Sequence, residues 1–254
     1  MKCALIEFSP TGGTEKAGKI LCSALGTETN IFDLANPTLD YSAFSADRET
    51  IAVIAMPSYG GRVPALAAER LKKVHGNDIP CVLLCVYGNR AYEDTLVEME
   101  DLAKECGFRV VAAVAAIAEH SIMHQYAAGR PDAEDAARLR EIGNQILQKL
   151  SRTSGEDSFV IPGNRPYKKA GGAGLVPKAN DSCVECGLCA AECPAGAIDR
   201  ENPKKTDKTK CISCMRCTVC CPHNAREVNG AMVAVAALAI KKACSVRKEC
   251  ELYL

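Results

Sequence analysis

Eight cysteines in the second half of the chain recur at one repeated spacing. They form the runs Cys183-x-x-Cys186-x-x-Cys189-x-x-x-Cys193 and Cys211-x-x-Cys214-x-x-Cys217-x-x-x-Cys221, closed by Pro194 and Pro222. Three thiolates two residues apart can surround one face of an iron–sulfur cube, while the proline stops further winding and directs the fourth thiolate elsewhere. The spacing therefore predicts two [4Fe–4S] clusters.

The two ligand sets are expected to cross, because in such paired runs the fourth cysteine binds the other run's cluster. One cluster would be held by Cys183, Cys186, Cys189 and Cys221, and the other by Cys193, Cys211, Cys214 and Cys217. A second register remains open, in which Cys220 replaces Cys221. The proline after Cys221 repeats the one after Cys193, which favours Cys221 and leaves Cys220 as a packing residue.

Dense cysteine is also used in zinc sites and disulfide frameworks. Zinc sites usually close with two separated cysteine pairs and do not need a third cysteine two residues on. Disulfides need an oxidising compartment, and the apolar run at Lys2–Glu7 is too short for a signal peptide. No apolar run reaches the length that spans a bilayer. The sequence predicts a cytoplasmic protein without a membrane span.

The overall charge is balanced, with 31 Lys and Arg against 31 Asp and Glu among 254 residues. This balance argues against nucleic acid or an anionic membrane surface as the main partner. Residues 151–254 carry 16 basic against 11 acidic residues. We interpret this excess as compensation for anionic clusters that the same residues would bury.

The first 150 residues alternate short apolar runs with helical patterns, which predicts βα units and a parallel sheet. The predicted strands are Cys3–Phe8, Thr29–Leu34, Thr50–Met56, Pro80–Val86 and Arg109–Ala118. The predicted fold class is α/β, a flavodoxin-like doubly wound sheet of five parallel strands, followed by a small α+β domain for the clusters. The ligand crevice of such a sheet lies beyond the carboxyl ends of its strands.

Composition divides the chain into four parts. Residues 1–150 form the sheet domain, and residues 151–176, rich in Gly, Ser, Pro and Lys, form a linker that wraps or spans between domains. Residues 177–230 hold the cysteine runs, and residues 231–254 form a closing helix and tail.

The loop after the first predicted strand is suited to a phosphate group. Ser9, Thr11 and Thr14 offer hydroxyls, and Gly12 and Gly13 let backbone amides approach an anion at the start of a helix. The loop contains no basic residue, which fits the monoester phosphate of FMN. The dinucleotide pattern G-x-G-x-x-G is absent. A nucleotide P-loop is also excluded, because Ile20 stands where Ser or Thr must hold magnesium.

Two further loops should frame the same crevice, each with an aromatic side chain, glycine amides and polar groups that suit an isoalloxazine ring. The first contributes Pro57, Ser58, Tyr59, Gly60 and Gly61, and the second contributes Tyr87, Gly88, Asn89, Tyr92 and Asp94.

These motifs give the chain a resemblance to known families. The loop Ser9–Thr14 is similar to the phosphate loop of flavodoxins, and Gly88–Glu93 is similar to their third flavin loop, where a tyrosine at the position of Tyr92 stacks on the ring. Nearly the whole chain resembles the flavodoxin–ferredoxin fusion proteins of anaerobes, whose loops match Met56–Pro64 and Tyr87–Arg90. The chain lacks the acid-rich third loop of short flavodoxins.

The resemblance implies FMN and two [4Fe–4S] clusters in one electron-transfer protein, with a redox partner protein or a small electron donor or acceptor. Flavin accepts one or two electrons, whereas each cluster passes one. The alternative is a flavin-dependent reductase that acts on a small molecule and uses the clusters as a relay. Besides the flavodoxin-like sheet, no second fold that could bind a dinucleotide is visible, which weakens direct oxidation of NAD(P)H. The sequence does not decide whether the chain is an enzyme.

Overall fold

A computed structural model describes residues 1–152, 159–171 and 174–254. The first part of the chain alternates strands with helices. Its strands are β1 (Lys2–Glu7), β2 (Thr29–Asp33), β3 (Thr50–Pro57), β4 (Pro80–Tyr87) and β5 (Arg109–Ile117). Its helices are α1 (Gly13–Leu25), α2 (Ala65–Leu71), α3 (Thr95–Glu105) and α4 (Ala133–Arg152), with a single 3₁₀ turn at Tyr41–Ala43.

The five strands pair in parallel in the order β2-β1-β3-β4-β5. This order is that of the flavodoxin-like doubly wound fold, so the predicted fold class is confirmed. The sheet also has a sixth strand, which the sequence prediction did not include. Residues 251–253, assigned to the tail, form strand β8 (Glu251–Tyr253) and pair antiparallel with Ala113–Ala115 of β5.

The core of this domain lies on both faces of the sheet. Strand β3 is shielded from solvent along Ile51–Met56, and β4 along Cys81–Cys85, as expected of parallel strands covered by helices on both sides. Gly18 lets α1 lie close to the sheet, because a Cβ atom there would come within 2.7 Å of Leu5 Cδ1. The helices therefore fix the positions of the loops at the carboxyl ends of the strands.

The cysteine-rich part contains little regular structure. It has the short antiparallel pair β6 (Lys178–Ala179) and β7 (Arg226–Glu227), and the four-residue helices α5 (Leu188–Ala191) and α6 (Arg216–Val219). The loops between these elements carry most of the cysteines.

The closing helix predicted within residues 231–254 is α7 (Gly230–Cys244). The Asn229 side chain caps it by accepting a 3.0 Å bond from Met232 N. The helix packs on the first domain, where Ala237 contacts the cluster of Met123 and Leu175, and the Tyr126 hydroxyl donates to Ala237 O at 2.7 Å. Among the described residues, none of the helices combines the length and the apolar character needed to cross a bilayer.

Residues 159–171, which we call the strap, lie against the first domain. The carboxylate of Asp94 accepts hydrogen bonds from Asn164 N, Asn164 Nδ2 and Lys168 N at 2.7–3.0 Å. Arg165 forms ion pairs with Asp101 and with Glu100. This part of the predicted linker therefore wraps on the sheet domain. The remainder of the linker includes residues 153–158 and 172–173, which lie outside the described residues.

Candidate functional site

The loop at the end of β1 leads directly into α1 and carries the backbone amides that precede and begin this helix. Gly12 has a φ of +86°, in the left-handed region, and no atom lies within 4 Å of where its Cβ would be. Within the described residues, the N–H groups of Thr11, Gly13 and Thr14 have no acceptor, as is usual for the first turn of a helix. Amides of this kind and the helix dipole favour an anion. The loop therefore fits a phosphate group.

Ser9 and Thr14 are buried, whereas Thr11, Gly12 and Gly13 are half-exposed. The Ser9 Oγ atom accepts a 2.8 Å hydrogen bond from Glu15 N, which ties the loop to the helix. The Ser9 hydroxyl hydrogen remains a donor. The structure thus brings together the five residues predicted for the phosphate.

The loop after β3 folds back sharply on itself. Tyr59 and Arg62 exchange two backbone hydrogen bonds, of 2.9 and 3.2 Å. Gly60 and Gly61, between them, both have positive φ, of 61° and 84°. This is the geometry of a type I′ turn, for which glycine is favoured at both central positions. Ser58 fixes the base of the turn through a 2.7 Å bond between its Oγ and Thr95 Oγ1.

Arg62 joins this turn to α3 and to the strap. Its guanidinium group forms two hydrogen bonds with the Glu98 carboxylate, of 2.7 and 2.8 Å, and lies 4.7 Å from the centre of the Tyr167 ring. Hydrogen bonding to Glu98 raises the pKa of Arg62 above its ordinary value. The position of Tyr59 is therefore set by a network that reaches the strap.

In the loop after β4, the side chain of Asn89 bonds to the C-terminal part of the chain. Its Nδ2 donates to Cys244 O and Val246 O at 3.0 and 2.9 Å, and its Oδ1 accepts from Lys248 N at 3.3 Å. Asn89 is 3% exposed and has a φ of 65°. These bonds occupy both polar atoms of the side chain, so its predicted cofactor contact stays a prediction.

The two tyrosines of the third loop pack edge to face, with the ring centres of Tyr87 and Tyr92 5.2 Å apart. The Tyr92 hydroxyl lies 2.6 Å from Glu251 Oε2 and 2.7 Å from the Tyr253 hydroxyl. Asp94, bound to the strap, is 2% exposed. The hydrogen bonds from Lys168 and Asn164 hold the pKa of Asp94 below its ordinary value. Tyr92 and Asp94 therefore join separate parts of the chain.

The His120 ring packs closely against Gly88 in this loop. A larger residue at position 88 would clash, because its Cβ atom would come within 2.7 Å of the His120 ring. The Nδ1 atom of His120 accepts hydrogen bonds from Ile122 N and Met123 N, each 3.2 Å long. Burial lowers the pKa of His120. A neutral imidazole that accepts two amide bonds stabilises the turn after β5.

The cysteines surround two separate cavities. One is lined by Cys183, Cys186, Cys189 and Cys221. The other is lined by Cys193, Cys211, Cys214 and Cys217. These are the two crossed sets that the sequence predicts, and Cys220 lines neither cavity. We call the first cavity the outer site and the second the inner site.

Hydrogen-bond donors point at the cysteine sulfurs. Ala197 N lies 3.3 Å from Cys193 Sγ, and Ala225 N lies 3.3 Å from Cys221 Sγ. Arg226 Nη2 lies 3.5 Å from Cys189 Sγ. Such N–H···S contacts are among the features by which a protein adjusts the potential of a cluster. Both sites therefore fit a cysteine-bound iron–sulfur cluster in donor type and in surroundings.

Burial raises the pKa of two inner-site thiols, that of Cys214 to about 11 and that of Cys217 to about 12. A metal ligand must be the thiolate, so binding displaces these protons. Across residues 1–152, 159–171 and 174–254, no three His, Cys, Asp or Glu side chains converge closely enough to hold a single metal ion.

Sequence reasoning did not include Arg216, which lies between two inner-site cysteines. Its guanidinium group pairs with Glu192 at 2.6 Å, and its Nη1 donates to Pro10 O, in the phosphate-type loop, at 3.4 Å. The contact with Pro10 joins residues 206 positions apart. No local pattern could reveal it.

Comparison with known proteins identifies the second region. Residues 182–226 match the family model described as a 4Fe-4S dicluster domain. No curated protein matches the chain.

Among solved structures, three similar proteins illustrate the matches to the first region. The flavodoxin of Streptococcus pneumoniae TIGR4 is 18% identical with a TM-score of 0.44, and covers 59% of this chain and 99% of that one. Flavodoxin 1 of Bacillus cereus is 12% identical with a TM-score of 0.40, and covers 58% and 98%. The rubredoxin oxygen:oxidoreductase of Desulfovibrio gigas is 15% identical with a TM-score of 0.44, and covers 59% and 36%.

The strand order β2-β1-β3-β4-β5 assigns the first region to the flavodoxin-like fold, and the family match assigns the second. The chain thus joins a flavodoxin-like domain to a 4Fe-4S dicluster domain in one polypeptide.

Proposed function

We propose that this protein transfers electrons between FMN, two [4Fe–4S] clusters and a redox partner. The observation that carries the proposal is the arrangement of the cysteines, since each crossed set of four lines its own cavity. The same chain folds a flavodoxin-like sheet whose first loop offers unpaired amides to an anion.

Different loops of the sheet domain bind different parts of the FMN molecule. The amides of Thr11, Gly13 and Thr14 hold the FMN phosphate at the start of α1, and the turn Tyr59–Arg62 borders the ring. Tyr87 and Tyr92 form the wall on the side of β4. When bound, the flavin supplies two-electron chemistry and the clusters supply one-electron chemistry. The chain contributes orientation, a dry interior and donors to the cluster sulfurs.

The test is the composition and spectroscopy of the protein reconstituted without oxygen. We expect one FMN, eight iron and eight sulfide per chain, the absorbance of both cofactor types, and EPR signals of two interacting reduced [4Fe–4S] clusters. Absence of flavin, or iron for a single cluster, would overturn the proposal.

The reductase alternative differs from this proposal in the molecule that exchanges electrons with the protein. A carrier exchanges electrons with a protein partner, whereas a reductase oxidises or reduces a small molecule at the flavin. Mixing the protein with NADH or NADPH under anaerobic conditions tests the difference. We expect no rapid bleaching of the flavin absorbance, and rapid bleaching would favour the reductase.

A further inference from the structure

The two cysteine sites differ in how they meet the flavodoxin-like domain. In the part of the chain that the structure describes, the hydrogen bonds and apolar packing between residues 183–222 and residues 1–150 are made by Pro194, Ile212 and Arg216. Each lies within two residues of an inner-site cysteine. In the described parts of the chain, no hydrogen bond or ion pair joins an outer-site cysteine, or a residue between Cys183 and Cys189, to residues 1–150.

Two arginines hold the inner site against the sheet domain. Arg70, on α2 and 8% exposed, donates to Leu34 O at 2.5 Å and also to Pro194 O, next to Cys193. Arg216 donates from the cluster side to Pro10 O. Ile212 packs on the hydrophobic core of the sheet domain. The inner site is therefore attached at the phosphate-type loop and at α2.

Pro10, which accepts the hydrogen bond from Arg216, lies between Ser9 and Thr11 in the loop predicted to hold the FMN phosphate. The inner site thus adjoins the predicted flavin crevice at Pro10.

The outer site faces solvent. Cys186 is exposed, whereas Cys214, its counterpart in the second run, is 8% exposed. The side chains around Cys186 are open as well, with Val184 60% and Leu188 40% exposed. Lys204 and Glu185, which pair at 3.0 Å beside this site, are each about half exposed.

We propose that the two cluster sites have separate tasks, with the inner site exchanging electrons with the flavin and the outer site exchanging them with the external redox partner. This inference rests on the proposed function. Each transfer moves one electron, so the group that gives it is oxidised and the group that accepts it is reduced. Two successive one-electron transfers between the flavin, the inner site, the outer site and the partner change the flavin by two electrons in all. No oxidant or reductant other than the partner protein is required.

The first test compares two variants at equivalent positions, Cys214→Ser for the inner site and Cys186→Ser for the outer site. The readout is the fluorescence lifetime of bound FMN, which a nearby cluster shortens by accepting energy or an electron. We expect the lifetime to lengthen in Cys214→Ser and to stay unchanged in Cys186→Ser. A longer lifetime in Cys186→Ser, or an equal change in both, would overturn the assignment.

A second test needs no variant and covers the case in which a cysteine variant fails to fold. The wild-type holoprotein is treated with an iron chelator without oxygen, and iron loss is followed together with the FMN lifetime. Because Cys186 is exposed, the outer cluster should be lost in the faster phase. We expect the lifetime to change only in the slower phase, and a change in the faster phase would contradict the proposal.

The composition of the starting protein separates this inference from the function on which it rests. If the reconstituted protein lacks FMN or a second cluster, the proposed function fails. If FMN and both clusters are present and the lifetime follows the loss of the outer cluster, only the order of the sites is wrong. Arg216→Gln, with the exposed Arg200→Gln as its control, adds a positioning test. We expect a longer FMN lifetime in Arg216→Gln alone, with unchanged iron content.

Discussion

The two regions of this molecule are built around different kinds of interior. In the flavodoxin-like domain, strands β3 and β4 are covered on both faces by apolar side chains that solvent does not reach. In the dicluster region, only five residues form a buried apolar cluster, Cys189, Ala190, Cys193, Ala197 and Ile198. The centre of that region consists of two cavities lined by cysteine.

This difference has a physical cause. A segment of about 50 residues buries too little apolar surface to offset its conformational entropy, and small domains generally need a metal or disulfides. The sheet domain, three times longer, can rely on side-chain packing. We therefore expect the dicluster region to need bound metal clusters in order to fold, whereas the sheet domain is expected to fold without a cofactor.

Removal of iron should therefore produce the largest effect and separate the two regions. After chelation, we expect amide protection to disappear from residues 177–229 and to persist in β1, β3 and β4, because metal-binding free energy in such regions is folding free energy. Hydrogen exchange measured by mass spectrometry is the readout. Full protection of residues 177–229 in the iron-free protein would show that the dicluster region folds without iron.

Leu83→Ala should have the next largest effect, confined to the sheet domain. Leu83 is fully buried in β4, and such a truncation usually destabilises a domain by about 2–5 kcal/mol through lost packing and a cavity. Urea unfolding of the sheet domain, followed by far-UV circular dichroism, measures the loss.

The exposed Val184→Ala of the dicluster region is the matched control, with an expected change within about 0.5 kcal/mol. Iron content should stay the same in both variants. A loss of iron in Leu83→Ala would indicate that the two regions fold as one unit.

Glu7→Gln tests how the stability of the sheet domain depends on pH. Burial, followed by the neighbouring Glu15 and Asp33, raises the pKa of Glu7 from 4.5 to about 8, while Lys19 and Arg216 oppose the shift. Glu7 is 2% exposed and its Oε2 atom has no partner in the described residues. Because the folded state binds the proton more tightly, this group costs stability as pH rises from 4.5 to 8, by up to about 1.4 kcal/mol per pH unit.

In Glu7→Gln that slope should vanish, and the variant should be more stable than the wild type at pH 8. Urea unfolding of the sheet domain at pH 5, 6, 7 and 8 provides the measurement, with the exposed Glu28→Gln as control. An unchanged slope in Glu7→Gln would show that Glu7 ionises freely in the folded protein.

Tyr253→Phe should have the smallest effect. The variant removes the hydroxyl that lies 2.7 Å from the Tyr92 hydroxyl and also bonds to Glu251. The expected cost is about 1 kcal/mol in the sheet domain. A double-mutant cycle with Tyr92→Phe isolates the direct interaction between the two hydroxyls. Zero coupling would contradict the contact between the third loop and β8.

The sequence was sufficient for the five parallel strands, because each is an apolar run bounded by turns and separated by a helical period. The spacing also indicates which four cysteines line each cavity, while their role as cluster ligands stays a prediction. The residues from Tyr92 onward have helical periodicity, but helical backbone begins only at Thr95, because Glu93 has a φ of 44°. Nothing in the residue types marks that conformation.

What the sequence could not provide depends on contacts between distant residues. Strand β8 has three residues, Glu251–Tyr253, too few for an alternating pattern, and it exists because the edge of β5 offers free backbone groups. The strap has no periodicity, and Asp94 holds it from 70 or more positions away. Asp94 and Asn89 are predicted as cofactor contacts because polar loop residues at strand ends are the usual candidates, and for both the contact stays a prediction.

Strand β8 also determines how the protein can be divided. Because Glu251–Tyr253 complete the sheet that begins at Lys2, the dicluster region is an insertion between two pieces of one domain. A single cut at the strap would leave a fragment in which Ala113–Ala115 present an unpaired strand edge, a site at which chains aggregate. A soluble flavodoxin-like fragment would need residues 250–254 joined to residues 1–152 by a short loop that replaces the dicluster region.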